Sequence, residues 1–330
     1  METPLLSVKS LTIGIRRPKT ADTIIVDDLS FDIQRGERFG IVGESGSGKS
    51  LTLRAIADLL PKGVEVLSGS ILYNGAELVG MPTAQRRRLM GPEIAMIFQE
   101  PMTALNPVIR VGDQISEGPR RYLGLSKKAA MALAIEMMAK TGIPDPVRRA
   151  RAYPHELSGG LRQRIMIAMA LSCGPKLLLC DEPTTALDVT VQHQVLKVLE
   201  KLCSDSGAAL AFVTHDLAVV NQTCTDLAVM YAGHIIESGK VKGVFHDPRH
   251  PYTKGLLDSA PDFDQPEREL VPIPGFPPNL AARTSGCPFA PRCVFAVDAC
   301  TVAMPPTEEV APGHKVACIE SQRIFEGVPA

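Results

Sequence analysis

Residues 38–50 read Arg38-Phe-Gly-Ile-Val-Gly-Glu-Ser-Gly-Ser-Gly-Lys-Ser50. The first five residues form a compact apolar stretch typical of a strand, and the segment from Ser50 to Leu60 has helical periodicity. Between them, Gly43–Ser50 fits the pattern G-x-x-x-x-G-K-S/T, in which backbone N–H groups at a helix N-terminus surround phosphate oxygens. A flexible Gly/Ser loop is the alternative interpretation, but the preceding strand and following helix are the context that the pattern requires. The stretch therefore predicts a loop that binds nucleotide phosphates.

Two side chains of this loop carry specific expectations. Lys49 would reach the β- and γ-phosphates, and the Ser50 hydroxyl would ligate Mg²⁺. The residues predicted to contact the nucleotide here are Gly43, Glu44, Ser45, Gly46, Ser47, Gly48, Lys49, Ser50 and Leu51.

A second apolar strand, Leu177-Leu-Leu-Cys180, ends in the acidic pair Asp181 and Glu182. A carboxylate at such a strand end can hold Mg²⁺, which suits Asp181, and its neighbour Glu182 can polarise an attacking water as general base. Alone, the pair would more often be a solvated sheet edge. Following a phosphate loop, it predicts the second half of a nucleotide-hydrolysing site. His215 and Gln99 carry no such meaning by themselves.

The remaining pattern predicts the fold class. Residues 110–143 are rich in Ala, Met, Leu and Lys and predict consecutive helices, and strand–helix alternation returns from Lys176 onward. That alternation is typical of an α/β protein with a parallel core sheet, interrupted here by a helical insertion.

Composition and charge exclude several classes of function. The 330 residues carry 35 Lys and Arg against 36 Asp and Glu, a net charge of −1, which disfavours nucleic-acid binding through bulk electrostatics. No apolar run approaches the ~18 residues of a membrane span, and the first residues do not form a signal peptide. These features predict a soluble intracellular protein that acts at a membrane only through partners.

The composition changes after about residue 246. Eight prolines lie between Ser259 and Cys293, which predicts an extended segment without long helices. Half of the eight cysteines lie in this last part of the chain, in the spacing C-x5-C-x6-C-x17-C: Cys287, Cys293, Cys300 and Cys318. The spacing leaves a metal site and free thiols both open, and a metal site could hold zinc or a 4Fe–4S cluster. Cys173, Cys180, Cys203 and Cys224 are expected to be buried small hydrophobes.

The segment Leu157-Ser-Gly-Gly-Leu-Arg-Gln-Arg164 completes a set that resembles the ATPase subunits of ABC transporters over about residues 5–245. Six elements of that family occur in order: Walker A at Gly43–Ser50, the Q-loop at Gln99, the signature at Leu157–Gln163, Walker B ending at Asp181-Glu182, the D-loop at Ala186-Leu187-Asp188 and the switch histidine at His215. The resemblance implies an ABC-type P-loop fold with a mixed or parallel core sheet, an antiparallel β subdomain and a helical signature subdomain at about 101–165. The implied domains are 1–245 for the ATPase and 246–330 for a proline-rich extension.

The resemblance also implies roles for residues that are uninformative alone. Two subunits would close head-to-tail, so that the signature of one contacts ATP bound to the other, through Ser158, Gly159, Gly160 and Gln163. Gln99 would sense Mg²⁺ and the attacking water, Asp188 would belong to the site through the D-loop, and His215 would hold the γ-phosphate. One feature departs from the family: the stretch Leu11–Ile15, where the family usually places an aromatic residue that stacks on adenine, contains none, and Ile15 is the best match for that position.

A finer resemblance rests on Tyr153–Glu156, His250–Leu257 and Ile273–Cys293. These segments are similar to the D-type ATPase subunit of oligopeptide/dipeptide importers. The resemblance implies uptake of peptides or a related small solute with a second, F-type ATPase, two integral-membrane permeases and an extracytoplasmic solute-binding protein. It further implies a peripheral position on the cytoplasmic face of the bacterial inner membrane, and a structural 4Fe–4S cluster on the four C-terminal cysteines, with zinc as the alternative.

Two other classes of protein share these motifs. Soluble ABC ATPases that act on DNA or ribosomes usually carry a long coiled-coil insertion or two tandem cassettes, whereas this chain has one cassette and a short helical insertion. A regulatory ATP-binding module without turnover is the second alternative, and the presence of Glu182 and His215 argues against it.

Overall fold

The computed structural model describes residues 3–18, 20–99, 104–184, 188–260, 270–278 and 285–326. Its strands, in chain order, are β1 (Leu6–Ile15), β2 (Thr23–Ile33), β3 (Arg38–Val42), β4 (Glu65–Tyr73), β5 (Ala76–Glu77), β6 (Ile94–Ile97), β7 (Leu177–Asp181), β8 (Ala209–Thr214), β9 (Asp226–Tyr231), β10 (His234–Lys240), β11 (Glu308–Ala311) and β12 (His314–Val316).

The α-helices are α1 (Lys49–Ala57), α2 (Thr83–Leu89), α3 (Val111–Tyr122), α4 (Lys127–Lys140), α5 (Pro146–Arg149), α6 (Gly159–Leu171), α7 (Val189–Ser206), α8 (Leu217–Thr223), α9 (Val241–His246), α10 (Pro251–Ser259), α11 (Ala299–Val302) and α12 (Ser321–Glu326). Two short 3₁₀ turns, Pro154–Glu156 and Ala290–Arg292, accompany them.

The chain forms two compact units. The first takes in residues of Met1–Leu5, Ile33–Glu37 and Gly80–Phe212, and the second takes in residues of Leu6–Asp32, Arg38–Val79 and Val213–Ala330. The C-terminal extension thus belongs to the same unit as the phosphate loop. The predicted domain boundary at residue 245 stays a prediction.

In the first unit, strands β8, β7 and β6 lie side by side, and β6 and β7 run parallel with Ile94 opposite Leu177. Every residue of β7 is buried. A strand that is apolar throughout, instead of alternating, is typical of a parallel sheet covered on both faces. This burial carries Asp181, at the end of β7, into the interior.

The helices of the first unit form the predicted helical insertion. Helices α3 and α4 pack on each other and both pack on α6. Ser126 caps the N-terminus of α4, its Oγ accepting the Ala129 N–H at 3.3 Å, and Ser158 caps α6 in the same way. The predicted helices of residues 110–143 are therefore confirmed, with a break at Leu123–Ser126 between α3 and α4.

The second unit contains two sheets. Strands β2, β1, β4 and β5 form one of them in that order, with β1 and β4 antiparallel. In the other sheet, β3 pairs in parallel with β9, and β9, β10, β12 and β11 then follow as antiparallel neighbours. The predicted mixed core sheet and antiparallel β subdomain are confirmed.

Strand β12 of the C-terminal extension pairs with β10, the last strand of the ATPase region. Glu237 of β10 lies opposite Val316 of β12, and its fully buried carboxylate accepts the backbone N–H groups of Arg249 (2.7 Å) and His250 (2.9 Å). His314 Nε2 contacts the same carboxylate at 2.7 Å. Strand pairing and this buried carboxylate therefore anchor a segment whose own helices are short, as its proline content predicts.

A helix that crosses a bilayer must be about 20 residues long and predominantly apolar. Throughout the described ranges, no helix combines the required length with enough apolar character.

Candidate nucleotide site

The phosphate loop joins β3 to α1 in the predicted strand–loop–helix arrangement. Gly43, Gly46 and Gly48 have φ angles of 152°, 81° and 100°. A Cβ atom at Gly43 would lie 2.1 Å from the carbonyl oxygen of Met230, and one at Gly48 would lie 2.8 Å from a methyl group of Val26. Both the backbone conformation and the close neighbours thus require glycine at these two positions.

Lys49 is buried in the loop that it is expected to serve. Its Nζ donates to the carbonyl oxygens of Gly43 (2.7 Å) and Glu44 (2.9 Å) and lies 3.5 Å from Ser47 Oγ. Ser50 and Leu51, in the first turn of α1, are half-buried, and Ser45 and Gly46 are exposed. These contacts hold the ammonium group against the loop, where its positive charge can pair with phosphate oxygens.

In the first unit, Asp181 is fully buried at the end of β7, and Glu182 follows it. Glu182 has φ +45°, which is unusual for a residue other than glycine and is typical of functional positions. Gln99 Nε2 donates to Glu182 Oε2 at 3.4 Å. The structure therefore brings the predicted Q-loop glutamine to the predicted general base.

The signature segment begins α6. Ser158 Oγ accepts the Leu161 N–H at 3.4 Å, and Ser158 and Gly159 are exposed at the helix start. A Cβ at Gly160 would lie 2.6 Å from Val191 Cγ1, so the helix approaches α7 too closely for a larger residue without adjustment. The exposed start of α6 leaves backbone N–H groups open to a ligand.

Gln163 differs from the other signature residues. Its side chain is 1% exposed, and its Nε2 has no hydrogen-bond partner within the described structure. It faces the interior of the first unit. The predicted contact of Gln163 with a nucleotide on another subunit stays a prediction.

Two further predicted residues lie at element ends. Asp188 caps α7, its Oδ1 accepting the Val191 N–H at 2.9 Å, whereas Ala186 and Leu187 lie outside the described residues. His215 follows β8 in the second unit and is exposed. Ile15 ends β1, is half-buried and belongs to the same unit as the phosphate loop.

The four C-terminal cysteines line one small, predominantly apolar cavity: Cys287, Cys293, Cys300 and Cys318. Burial, with a smaller contribution from the neighbouring cysteines, raises the pKa of Cys293 to about 11 and that of Cys318 to about 12, which favours the thiol form of both. Among the described residues, no group of three or more His, Cys, Asp or Glu side chains has the arrangement to hold a metal ion. The four cysteines therefore share one cavity.

One neighbour of the phosphate loop could not be identified from local sequence patterns. Arg292 of the extension forms a salt bridge with Glu44, with Nη1 to Oε2 at 2.8 Å and Nη2 to Oε1 at 3.0 Å. Burial lowers the pKa of Arg292, but the hydrogen bonds to Glu44 and Tyr231 outweigh it and raise that pKa above its ordinary value. No local pattern could reveal this pair, because its members are 248 residues apart.

Comparisons with known proteins identify the family of the chain. A family model described as ABC transporter matches residues 26–185, and one described as oligopeptide/dipeptide transporter, C-terminal region, matches residues 236–300. The oligopeptide transport ATP-binding protein OppD of Haemophilus influenzae is 47% identical over 300 residues, 91% of this chain and 92% of its own. OppD of Escherichia coli is 46% identical over 316 residues, 96% of this chain and 93% of its own.

Solved structures agree on the fold. The ATP-binding cassette MJ0796, in a dimer bound to ADP and Pi, superposes with a TM-score of 0.64 at 24% identity, covering 72% of this chain and 98% of its own. The cbiO1 protein of Clostridium perfringens, part of the ABC transporter complex cbiONQ, gives a TM-score of 0.63 at 27% identity and covers 74% of this chain and 92% of its own. With a phosphate loop, an acidic strand end and a signature helix in place, the chain belongs to the ABC transporter family, as an ATP-hydrolysing subunit with the oligopeptide/dipeptide transporter C-terminal region.

Proposed function

We propose that this ATPase energises the import of di- or oligopeptides, or of a related small solute. The observation that carries the proposal is the extent of the similarity. Relatives named as oligopeptide transport ATP-binding proteins match more than nine-tenths of the chain, including the extension that simpler cassettes lack. The alternative of an ABC ATPase acting on DNA or ribosomes has no corresponding observation.

In this proposal the predicted site residues of each unit have defined chemical tasks. In the second unit, Lys49 and the loop N–H groups bind the phosphates, Ser50 ligates Mg²⁺ and His215 holds the γ-phosphate. In the first unit, Asp181 and Gln99 serve Mg²⁺, and Glu182 takes the proton of the attacking water. Mg²⁺, when bound, neutralises charge on the β- and γ-phosphates. The bond from Gln99 to Glu182 supports this, since it orients the base.

The remaining tasks need a second ATPase subunit. The exposed Ser158 and Gly159, with Gly160, would contact the γ-phosphate of ATP bound to the partner, which we propose is a different, F-type chain. Asp188 lies at the start of α7 in the same unit and would accompany them. At the adenine, Ile15 would provide an apolar contact in place of an aromatic ring, which predicts looser selection of the base.

The proposed assembly contains two integral-membrane permeases and an extracytoplasmic solute-binding protein. The chain would lie at the cytoplasmic face of the cell membrane as a peripheral subunit. Specificity for the solute would reside in the permeases and the binding protein, because the proposed site of this chain takes ATP and not the solute.

To test this, tagged full-length chain carrying Glu182→Gln would be purified from detergent-solubilised membranes with ATP present. We expect two permeases and a second ATPase to co-purify and to be identified by mass spectrometry. The Glu182→Gln chain without ATP is the control, and it should retain less of the second ATPase. Recovery of ribosomal or DNA-repair proteins, with no permease, would contradict the transport function.

We further propose that Cys287, Cys293, Cys300 and Cys318 hold a 4Fe–4S cluster. A 4Fe–4S cluster takes four cysteine thiolates as ligands, so it would need four cysteines around one shared site. The shared cavity supports this fit. The cluster would have a structural role: it would hold together the C-terminal extension, which has few apolar residues of its own.

This proposal predicts about four irons and four sulfides per chain after anaerobic purification. Cys300→Ser should remove most of the iron, because it deletes one ligand of the cavity, whereas Cys173→Ser, outside the cavity, should leave the iron content unchanged. Stoichiometric zinc in place of iron would support the zinc alternative, and a metal-free chain would contradict both.

A further inference from the structure

The C-terminal extension reaches the phosphate loop through one arginine. Arg292 ends the 3₁₀ turn Ala290–Arg292, and its side chain is only 6% exposed. Its guanidinium group forms the two parallel hydrogen bonds to the Glu44 carboxylate, at 2.8 and 3.0 Å. Paired bonds of this kind fix both the distance and the orientation of the two groups.

The guanidinium group is held from its other sides as well. Nε donates to the Pro274 carbonyl oxygen at 2.7 Å, and Nη1 donates to the Tyr231 hydroxyl at 3.2 Å. The group also lies 5.8 Å from the ring centres of both Tyr231 and Phe289. With these contacts, Arg292 has one defined position against Glu44.

Glu44 is the second residue of the phosphate loop, and all three of its polar groups are engaged. Its N–H donates to the Tyr252 hydroxyl at 2.8 Å, and its carbonyl oxygen accepts from Lys49 Nζ at 2.9 Å. Its carboxylate is taken by Arg292. The same residue therefore contacts the extension on one side and the phosphate-binding lysine on the other.

An aromatic cluster supports this contact. Phe289 lies 5.3 Å from Tyr231 and 5.4 Å from Tyr252, measured between ring centres, and Tyr231 and Tyr252 are 4.5 Å apart. All three rings are buried. They fix the turn that carries Arg292 relative to the strand end at Tyr231 and the helix start at Tyr252.

We propose that Arg292 is a positioning residue of the ATP site, so that the C-terminal extension contributes to nucleotide binding. Without Arg292, the Glu44 carboxylate would stand uncompensated in a loop that must accept a polyanion, and it would repel the phosphates. Its carbonyl, which orients Lys49, would also lose its fixed position. This inference rests on the proposed ATP-binding role of the loop.

The test uses full-length chain in which Glu182→Gln prevents turnover, and compares Arg292→Met, Arg292→Lys, Glu44→Gln and the double variant Arg292→Met/Glu44→Gln. Arg323→Met is the matched control, because it breaks another arginine–glutamate pair of the extension, with Glu320, at 2.8 Å. The Kd for Mg-ATP is measured by titration calorimetry, and thermal unfolding is recorded without nucleotide.

We expect Arg292→Met to raise the Kd by about tenfold, because a partly buried carboxylate is left beside the phosphates. Arg292→Lys should raise it less, since the charge remains while the paired geometry is lost. The double variant should return the Kd to within about threefold of the parent, because the repelling charge is gone. Arg323→Met should leave the Kd unchanged.

The double variant distinguishes a positioning role from simple stabilisation of the fold. If Arg292→Met acted only by removing packing contacts, the single and the double variant would bind Mg-ATP equally weakly, whereas a positioning role predicts that the double variant regains affinity. A Kd within about twofold of the parent for Arg292→Met and Arg292→Lys would overturn the inference and leave the proposed function standing. Equal weakening in the single Arg292→Met and double variants would also overturn it. If the parent chain with Arg292 intact bound no ATP, the proposed function itself would fail.

Discussion

Replacing Glu182 by Gln is expected to lower ATP hydrolysis by about 100-fold or more, the contribution of a general base that takes the proton of the attacking water. The amide keeps the size and the hydrogen-bonding reach of the carboxylate but cannot accept that proton. Gln99 Nε2, now 3.4 Å from Glu182 Oε2, could still bond the amide oxygen. The Kd for Mg-ATP should therefore stay close to that of the unaltered chain while turnover is lost.

The measurement is phosphate release by the full-length chain together with the membrane partners that co-purify with it. Glu136→Gln is the matched control, since Glu136 is an exposed carboxylate on α4 that pairs with Lys140 at 2.7 Å, and its replacement should not change the rate. Hydrolysis by the Glu182→Gln chain within about fivefold of the unaltered rate would show that another group is the base.

Replacing Lys49 by Met should abolish hydrolysis and raise the Kd for Mg-ATP by at least about tenfold, because the ammonium group is the side-chain cation of the phosphate loop. The fold should tolerate this change. Lys49 is 4% exposed and its ammonium group is bonded to backbone carbonyls of its own loop, so a linear apolar side chain of similar length fits the same space.

The two effects can be separated by thermal unfolding with and without nucleotide. Unaltered chain should gain stability on addition of Mg-ATP, by an amount set by the ratio of ligand concentration to Kd, and the Lys49→Met chain should lose this gain at the same concentration. Lys62→Met, an exposed lysine of the same unit, is the control and should keep the full gain. An undiminished gain in the Lys49→Met chain would remove Lys49 from the phosphate site.

The contact between Arg292 and Glu44 links the C-terminal extension to the phosphate loop. Arg292 ends a turn closed by backbone hydrogen bonds from Ala290 N–H to the Cys287 carbonyl and from Cys293 N–H to the Ala290 carbonyl. Two of the four cysteines, Cys287 and Cys293, therefore flank the turn that reaches the phosphate loop. The C-terminal extension is therefore joined to the phosphate loop by a direct salt bridge.

Local features of the site could be predicted because short stretches of chain encode them. Three glycines with positive φ, an apolar strand before them and Lys49 at the helix start fix the phosphate loop within a dozen residues. Ser158 encodes the start of α6 by capping it, and the uninterrupted apolar residues of β7 encode a strand that ends in a buried carboxylate. Backbone geometry and burial pattern are properties of neighbouring residues, so the sequence alone determined these motifs and, through them, the family.

Other features were decided only by the tertiary structure. Gln163 belongs to the signature by its sequence, yet its position on α6 turns the side chain inward, where it is 1% exposed. The pairing of β12 with β10 brings His314 to Glu237, 77 residues away, and the packing of the aromatic cluster brings Arg292 to Glu44. Such pairs depend on strand order and on how distant segments pack, neither of which is written in any local pattern of residues. The sequence determined what the loop binds, and the tertiary structure decided which distant residue holds that loop in place.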